Sequence, residues 1–277
     1  MIGVTWMWTH PKLASARLRN NIPSQVLKLR GVVKDGTDLI IASKHNWDVS
    51  TVRKRFKRMI FDVCDDHFSD SRREHYLHAC EVADQITCNS EVMREIIERE
   101  THRRATVIDD PYEDAELAPD GTGSGVLWFG HSLNLPDLER VAPSIRHPLT
   151  VVASHNYTPE HLDACLKACR VVILPTGKSQ AKSANRAVRS IRYGKYPICG
   201  HLPAYGELGL GNDDLGLALD RAYESTDSDL VARVRALQDL VRVRFSPDLV
   251  SDAWEKVICG SISGAGRESL KALLTAT

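Results

Sequence analysis

Alternation between short β-rich runs and helical stretches constrains the fold of this chain more than any other feature. Nine runs rich in β-branched and aromatic residues predict strands, and stretches with helical periodicity separate them. Such alternation is typical of parallel sheets that are covered by helices on both faces. We therefore expect an α/β protein. The predicted strands are Gly3–Trp8, Asp38–Ala42, Met59–Cys64, Gln85–Cys88, Ala105–Ile108, Val126–Gly130, Leu149–Ala153, Arg170–Leu174 and Tyr196–Cys199.

One segment interrupts the alternation and is typical of a linker. Glu113–Gly125 contains Pro119 and three glycines, which favour turns over regular structure. A boundary near residue 118 would divide the 277 residues into two units of ordinary domain size. We therefore predict two doubly wound, Rossmann-like domains that face each other across a cleft, spanning residues 1–117 and 118–277.

Composition and charge exclude several classes of protein. Lys plus Arg and Asp plus Glu number 36 each, so no net charge draws the whole molecule toward nucleic acid or an anionic membrane. The longest apolar runs fall far short of the ~20 residues that a membrane span requires, and the first residues lack a signal-peptide pattern. Seven cysteines occur without a Cys-x-x-Cys pair or a matching His pair. We expect a cytoplasmic protein without a membrane span or a metal site.

Ligands of open α/β sheets bind beyond the carboxyl ends of the strands, so the loops that follow the strands are the places to search. Four of these loops carry unusual clusters of polar and charged residues. They are His10–Arg19, Cys64–Phe68, Gly130–Asn134 and Thr176–Asn185.

The most informative segment is residues 175–200, which leaves a strand, turns, and is predicted to enter a helix near Ser183. Cations in the first turn of a helix are unfavourable unless an anion is bound, because the helix dipole is positive there. A diphosphate would meet backbone amides, the Ser183 hydroxyl, Lys182 and Arg186. A solvated basic helix face is the alternative. The apolar face would carry Ala184, Ala187, Val188 and Ile191, and the opposite face Lys182, Asn185, Arg186 and Arg189.

A P-loop is the competing interpretation of the same segment, because Thr176–Ser179 ends like that motif. The full signature requires a glycine five positions before Gly177, where this chain has Val172 within a predicted strand. The cradle of backbone amides cannot form, so we do not expect an NTPase.

A second candidate follows the third predicted strand, which ends in Asp65, Asp66 and His67. A carboxylate or an imidazole at this place could remove the proton from an acceptor hydroxyl, since that work requires a pKa near the operating pH. Either aspartate could be the base or could orient His67. Adjacent acids also serve as helix N-caps, so a purely structural role remains the alternative.

Two further clusters have both a functional and a structural interpretation. His10, Ser15 and Arg17 follow the first strand and could contact donor phosphate or acceptor, or could simply start the next helix. The basic run of residues 53–58 could contact nucleic-acid phosphates, or could be a solvated helix face.

Taken together, these residues give the chain a resemblance to GT-B glycosyltransferases of the family-4 kind, across about residues 2–260. In the first half the resemblance lies in ADQITCNSEVMREII (83–97) and ATVIDDPYE (105–113). In the second half it lies in WFGH (128–131) and in KSANRAVRSIRYGKYPICGHLPAYGEL (182–208). The spacing from the helix to Gly194, Pro197 and Pro203–Tyr205 is its most specific element.

The resemblance implies a metal-independent transferase that uses a nucleotide sugar as co-substrate, without a further cofactor. It implies a donor site between the two domains, and a C-terminal segment that packs back toward the first domain. This chain departs from the family at one place. Many retaining members carry a Glu-x7-Glu pair, and the two corresponding positions here are Ala181 and Arg189. The implied donor residues are Gly130, His131, Ser132, Lys178, Lys182, Ser183, Asn185 and Arg186, and Arg189 would meet another phosphate.

The function expected from the resemblance is transfer of a sugar to an acceptor hydroxyl. Two acceptors stay open: a saccharide or small molecule, and the hydroxymethyl group of a modified DNA base of the kind that virus-encoded enzymes glucosylate. Modification of a duplex base would require its extrusion. The absent Glu pair keeps a different class open as well, a non-catalytic protein of the same fold that binds nucleotide sugars or nucleic acid.

Overall fold

The computed structural model describes residues 1–7, 13–44, 47–177 and 179–263 and divides the chain into two compact units. Unit 1 comprises Met1–Pro111, Ala181–Ser183 and a segment that begins at Phe245. Unit 2 comprises Tyr112–Gln180 and Ala184–Arg244. Residues 112–117, which precede the linker boundary expected from the sequence, thus belong to the second unit.

Unit 1 contains a six-stranded parallel sheet in the order β2-β1-β3-β4-β5-β6. Its central strands are buried on both faces, as expected for a parallel sheet under helices. The strands are β1 (Ile2–Met7), β2 (Val33–Asp35), β3 (Leu39–Ser43), β4 (Arg58–Val63), β5 (Gln85–Cys88) and β6 (Thr106–Val107).

Helices cover both faces of this sheet. The last described helix packs on the first half of the sheet, where Trp254 is fully buried and meets Trp6 edge to face at 5.3 Å. A π-helical stretch, Arg17–Asn21, joins the first two helices. The helices are α1 (Ala14–Ala16), α2 (Ile22–Leu29), α3 (Val49–Arg55), α4 (Arg73–Val82), α5 (Glu91–Thr101) and α12 (Pro247–Ser263).

Unit 2 contains a four-stranded parallel sheet in the order β10-β9-β7-β8. The strands are β7 (Val126–Gly130), β8 (Leu149–Ala153), β9 (Val171–Leu174) and β10 (Tyr196–Cys199). The helices are α6 (Leu135–Val141), α7 (Pro159–Ala168), α8 (Asn185–Arg192), α9 (Pro203–Gly206), α10 (Leu215–Glu224) and α11 (Asp227–Arg244).

Residues 112–117 belong to unit 2 because its helices hold them. The Arg192 guanidinium of α8 stacks on Tyr112 at 4.0 Å and donates to the carbonyl oxygen of Asp114. It also pairs with Glu116, which the Arg242 guanidinium of α11 contacts as well. These contacts fix the first half of the segment that the sequence marked as a linker.

The predicted α/β fold class is confirmed, and each of the nine predicted strands has its counterpart in the two sheets. The sequence analysis missed β2, which has only three residues and buries only Val33. In the part of the chain that the structure describes, every helix is too short or too polar to cross a bilayer.

Candidate functional site

The order of strands in each sheet identifies the edge at which a ligand would bind. In unit 2 the chain winds from β7 to β8 on one side and from β9 to β10 on the other. The point where the winding direction reverses lies between β7 and β9, and open α/β sheets bind ligands beyond the carboxyl ends of such strands. The loops at this point are Gly130–Asn134 and the stretch before α8. They carry most of the donor residues that the sequence predicted.

Arg186 of α8 lies at the carboxyl end of β7. An ideal Cβ on Gly130 would lie 3.1 Å from Nη1 of Arg186 and 3.2 Å from the Trp128 ring, so a side chain at position 130 would displace the guanidinium or the ring. The described contacts of Arg186 are the carbonyl oxygen of Phe129, at 3.4 Å, and the hydroxyl of Tyr205. Neither partner carries a formal negative charge, so the guanidinium keeps its charge for a ligand.

The turn after β7 presents a second set of polar groups. Nδ1 of the exposed His131 accepts from the Leu133 amide at 3.2 Å, so the neutral ring carries its proton on Nε2. The Ser132 amide donates to the Ser154 hydroxyl at 3.0 Å. These bonds fix the turn and leave Nε2–H of His131 as a donor.

Helix α8 begins two residues later than the sequence predicted. Its N-cap is Ala184, which offers no side-chain cap, and Asn185 is its first residue. Ala181 is buried in an apolar cluster of unit 1, and Ala181–Ser183 belongs to that unit. Lys182 and Ser183 therefore precede the helix, and the expectation that Lys182 and Arg186 share one helix face is wrong.

The start of α8 nevertheless offers the groups that an anion requires. The first amides of a helix have no partner within the helix, and the first turn of α8 contains no acidic residue. Half-buried Asn185 and Arg186 stand in that turn. Lys178, the remaining predicted donor residue, lies outside the described residues.

Arg189 differs from Arg186, although the two are one helical turn apart. Its Nε lies 3.1 Å from Asp114 and its Nη1 3.6 Å from Glu113. The pKa of Arg189 is raised: burial opposes the charged form, but the two carboxylates outweigh it. The charge of Arg189 is therefore largely compensated within unit 2.

In the loop of residues 176–179, which ends like a P-loop, protein side chains fill the space beside Gly177. An ideal Cβ on Gly177 would lie 2.4 Å from the Asp137 carboxylate, which also pairs with Arg140 at 2.7 Å. The Thr176 hydroxyl oxygen lies 2.6 Å from the place of a Cβ on Gly200. A carboxylate against this loop would repel a phosphate, which agrees with the missing glycine of the motif.

In unit 1 the two predicted aspartates of the turn after β4, Asp65 and Asp66, have different partners. Asp65 forms an ion pair with Lys44, which follows β3. Lys44 adopts a left-handed backbone with φ 45°, uncommon for a residue with a long side chain. Asp66 accepts from the Phe68 amide at 3.0 Å and so shapes the turn. Both carboxylates thus have structural partners.

His67 is the third residue of this turn and is almost completely buried. Its Nδ1 lies 2.8 Å from Asp70 Oδ2, and its ring packs edge to face on Tyr76 at 5.0 Å. The sequence analysis missed Asp70, although its spacing of three residues from His67 is a signal that a search for His–carboxylate pairs would have found.

The sequence analysis included Arg19 in the first loop but gave it no role, whereas the structure makes it the centre of a buried charge network in unit 1. The Arg19 guanidinium donates twice to Asp62, both at 2.7 Å, and once to Asp110 at 2.9 Å. Thr87 donates to the same Asp62 at 2.7 Å. The positive charge of Arg19 is fully compensated by these two carboxylates, which makes the network a structural element of the sheet's carboxyl edge.

The predicted residues of the first loop are only partly accounted for. Ser15 is half-buried in α1, and Arg17 opens the π-helical stretch. His10 lies outside the described residues. Within the described residues, no group of three or more His, Cys, Asp or Glu side chains could hold a metal ion.

Three of the five cations in the basic run of residues 53–58 pair with nearby acids. Arg53 and Arg58 both pair with Asp84, at 3.3 and 3.0 Å, and Lys57 pairs with Asp38 at 3.2 Å. Two of its cations, Lys54 and Arg55, are exposed on α3. This pattern is that of a solvated helix face.

Comparison with known proteins gives a match by structure alone. No protein-family model matches the sequence, and no curated protein matches it. A structure of Anabaena Alr3699/HepE in complex with UDP-glucose matches with a TM-score of 0.69 and 12% identity, over 94% of this chain and 100% of that one.

Two further structures match over most of both chains. One is the lipopolysaccharide outer core galactosyltransferase WaaB, with a TM-score of 0.54, 13% identity, and coverage of 89% of this chain and 80% of that one. The other is α,α-trehalose 6-phosphate synthase from Burkholderia multivorans, with a TM-score of 0.53, 12% identity, and coverage of 96% and 78%. Other matched chains are longer, and this chain spans 60% of the one from the GtfA/B complex.

The chain has the GT-B fold. Its fold neighbours include a galactosyltransferase, a trehalose 6-phosphate synthase and a protein solved with UDP-glucose. At 12–13% sequence identity the likeness shows the fold and nothing finer.

Proposed function

We propose that this protein is a metal-independent glycosyltransferase that moves a sugar from a nucleotide-sugar donor to an acceptor hydroxyl. The observation that carries the proposal is the position of Arg186. Its guanidinium lies at the carboxyl end of β7, at the point where the winding of the unit 2 sheet reverses, and its partners among the described residues are uncharged. A UDP-glucose complex among the fold neighbours supports a nucleoside diphosphate as the ligand of this place.

The leaving diphosphate requires stabilisation as the glycosidic bond breaks. We assign this work to Arg186 and the first amides of α8. Asn185 stands in the same turn of α8, Gly130 lies against the Arg186 guanidinium, and His131 follows Gly130 with a free Nε2–H donor among its described contacts. Lys178, Lys182 and Ser183 stay proposed donor residues on the strength of the family resemblance. Arg189 is the weakest of the set, because Asp114 and Glu113 already compensate its charge.

The acceptor hydroxyl must lose a proton during transfer. Among the three predicted candidates we assign the base to His67, because Asp65 pairs with Lys44 and Asp66 closes the turn. An imidazole held by a carboxylate is a common form of general base. His10, Ser15 and Arg17 stay proposed contacts of phosphate or acceptor.

We propose a saccharide or small-molecule acceptor. A duplex-DNA acceptor would call for a surface of uncompensated cations, but Arg53, Lys57 and Arg58 are paired with Asp84 and Asp38. The modified DNA base therefore gains no support from α3.

Thermal unfolding with a panel of nucleoside diphosphates and nucleotide sugars tests the donor proposal. A ligand at 100 times its dissociation constant should stabilise the protein by ~2.7 kcal/mol. We expect UDP and one UDP-sugar to raise Tm in the wild type and much less in Arg186→Ala. If the whole panel leaves the wild-type Tm unchanged, the donor proposal is wrong.

Donor hydrolysis separates an enzyme from a binding protein of the same fold. A transferase slowly releases sugar from its donor to water in the absence of acceptor, whereas a binding protein leaves the donor intact. We expect release of UDP in the wild type and loss of that release in His67→Ala or Arg186→Ala. Binding of a UDP-sugar without hydrolysis and without transfer to any of a panel of saccharides would favour the non-catalytic alternative.

A further inference from the structure

Helix α11 of unit 2 has apolar residues on two of its sides. One row is buried, as expected for the side of a helix that faces its own core. Its members are Leu230, Val234, Leu237 and Val241. A second row has the same helical spacing but is exposed to solvent, and its members are Ala232, Ala236, Leu240 and Val243. We call this second row the outer row.

The outer row cannot turn inward, because the opposite side of α11 is fixed. The side-chain amide of Gln238 donates to the carbonyl oxygens of Leu117 and Ile191, at 2.8 and 3.0 Å. Leu240 is nevertheless 51% exposed and Val243 is 73% exposed. Burial of such side chains against another apolar surface is favourable, and contiguous exposed apolar residues often mark an interaction surface.

The charges beside the outer row indicate what that surface fits. Arg235 and Asp239 lie one turn apart on the same edge of the row, and both are exposed. Asp239 pairs with Arg242 at 2.6 Å, whereas Arg235 pairs with no carboxylate among the described residues. Two copies of this edge are complementary when they run antiparallel, since each arginine then faces an aspartate. In a parallel pair like charges would meet.

We propose that α11 is the surface through which two copies of this chain associate, antiparallel about a two-fold axis at the level of residue 237. Arg235 of each copy faces Asp239 of the other copy. Leu240 of each copy lies over Ala232 and Ala236 of the other, whose small side chains leave room for it. The same surface is thus used twice, as in other two-fold contacts. The association uses no residue of the candidate donor site and does not depend on the proposed function.

A membrane surface is the other apolar phase that the outer row could meet. Helices that lie on anionic membranes carry Lys and Arg beside their apolar face. In α11 an exposed aspartate stands on each edge of the row, Asp239 on one and Asp229 on the other. Anionic headgroups repel such carboxylates, so the charges favour a second copy of the chain.

Sedimentation equilibrium of the full chain over a wide range of concentrations tests the association. We expect a monomer–dimer equilibrium for the wild type. Leu240→Glu puts a charge at the centre of the contact and should raise the dimer Kd by about a hundredfold or more. The control Leu217→Glu alters a leucine of α10 that is 47% exposed, and should keep the wild-type Kd. A wild type that is monomeric at every concentration, or equal effects of the two variants, would overturn the proposal.

Charge reversal tests the antiparallel arrangement. Arg235→Glu and Asp239→Arg each bring like charges together at both edge contacts, so each protein alone should dimerise at least about tenfold more weakly than the wild type. An equimolar mixture of the two variants should recover the wild-type affinity, because both contacts then join opposite charges. Recovery also shows that both variants are folded. A mixture that associates no better than its components contradicts the arrangement.

Cosedimentation with vesicles of phosphatidylcholine and phosphatidylserine distinguishes the membrane alternative. We expect the wild type to stay in the supernatant as a dimer. Binding to the vesicles that Leu240→Glu abolishes and Leu217→Glu retains would assign the outer row to a membrane and overturn the proposal.

Discussion

Two arginines at the carboxyl edges of the two sheets show opposite arrangements. Arg19 of unit 1 is fully buried and donates to the carboxylates of Asp62 and Asp110 and to the carbonyl oxygen of Ile108, at 2.7 Å. Arg186 of unit 2 is half-buried and contacts a carbonyl oxygen and a phenol. Among the described residues, carboxylates compensate the charge of Arg19, whereas the contacts of Arg186 are uncharged.

The difference separates a structural charge from a ligand-binding charge. A buried ion pair gives little net stability over an apolar substitute, but removal of one partner leaves a costly uncompensated charge. A cation with uncharged partners at a helix start is instead most stable when an anion is bound. The partners of an arginine thus indicate whether its loss should reduce stability or binding.

The largest expected effect is on the stability of unit 1. Asp62→Ala leaves the buried Arg19 guanidinium with Asp110 as its one carboxylate partner among the described residues. We therefore expect the free energy of unfolding to fall by ~3–5 kcal/mol in urea titrations. The control Lys57→Ala breaks an exposed pair with Asp38 and should cost less than ~1 kcal/mol. Equal losses in the two variants would contradict the assignment of a structural network.

The next effect is on ligand affinity in unit 2. Arg186→Ala removes a charge-assisted contact, so UDP binding should weaken by ~1.5–3 kcal/mol, about ten- to a hundred-fold, in calorimetric titrations. Arg235→Ala, which alters an exposed arginine on α11, is the control and should leave the Kd unchanged. Arg140 is unsuitable for this purpose, because it contacts Asp137 and the Thr176 carbonyl oxygen near the candidate site.

Arg189→Ala sharpens the comparison within a single helix. The charge of Arg189 is taken up by Asp114 and Glu113, so its loss should lower the free energy of unfolding and weaken UDP binding less than threefold, below ~0.7 kcal/mol. If Arg189→Ala weakens binding as much as Arg186→Ala does, compensation by carboxylates does not distinguish the two residues.

Most of the fold followed from local sequence signals. Each strand and helix has its own hydrophobic periodicity in the sequence, and the alternation of the two periodicities predicted both sheets. Strand β2 was not predicted because Lys34 and Asp35 are exposed, so Val33 alone contributes to a hydrophobic pattern. The later start of α8 was not predicted because Ala181 is buried in unit 1, a tertiary contact that local sequence does not record.

Sequence alone predicted the loops of the candidate site but not which charged side chains pair with one another. The turn with Asp65, Asp66 and His67 and the donor segment follow strands, and sequence alone places them at a sheet edge. The partners of Arg19 lie 43 and 91 residues away in sequence, at Asp62 and Asp110. Such pairs are set by the order of strands in the sheet, which no local pattern records.

The smallest expected effect concerns Tyr205, whose hydroxyl contacts Arg186. Burial raises the pKa of Tyr205 to about 12, so the phenol is neutral and contributes orientation instead of charge. Tyr205→Phe should weaken UDP binding by ~0.5–1.5 kcal/mol, the net value of one hydrogen bond. Tyr196→Phe on β10, the control in the same unit, should have no effect.

A double-mutant cycle shows whether Tyr205 acts through Arg186. If it does, Tyr205→Phe should have no further effect on UDP affinity once Arg186 is alanine, because the group that the hydroxyl orients is gone. Additive losses in the double variant would mean that Tyr205 affects the ligand by another route, and that the carbonyl oxygen of Phe129 and the space left by Gly130 suffice to orient the guanidinium. Titration of the four proteins with UDP under one set of conditions provides the coupling energy.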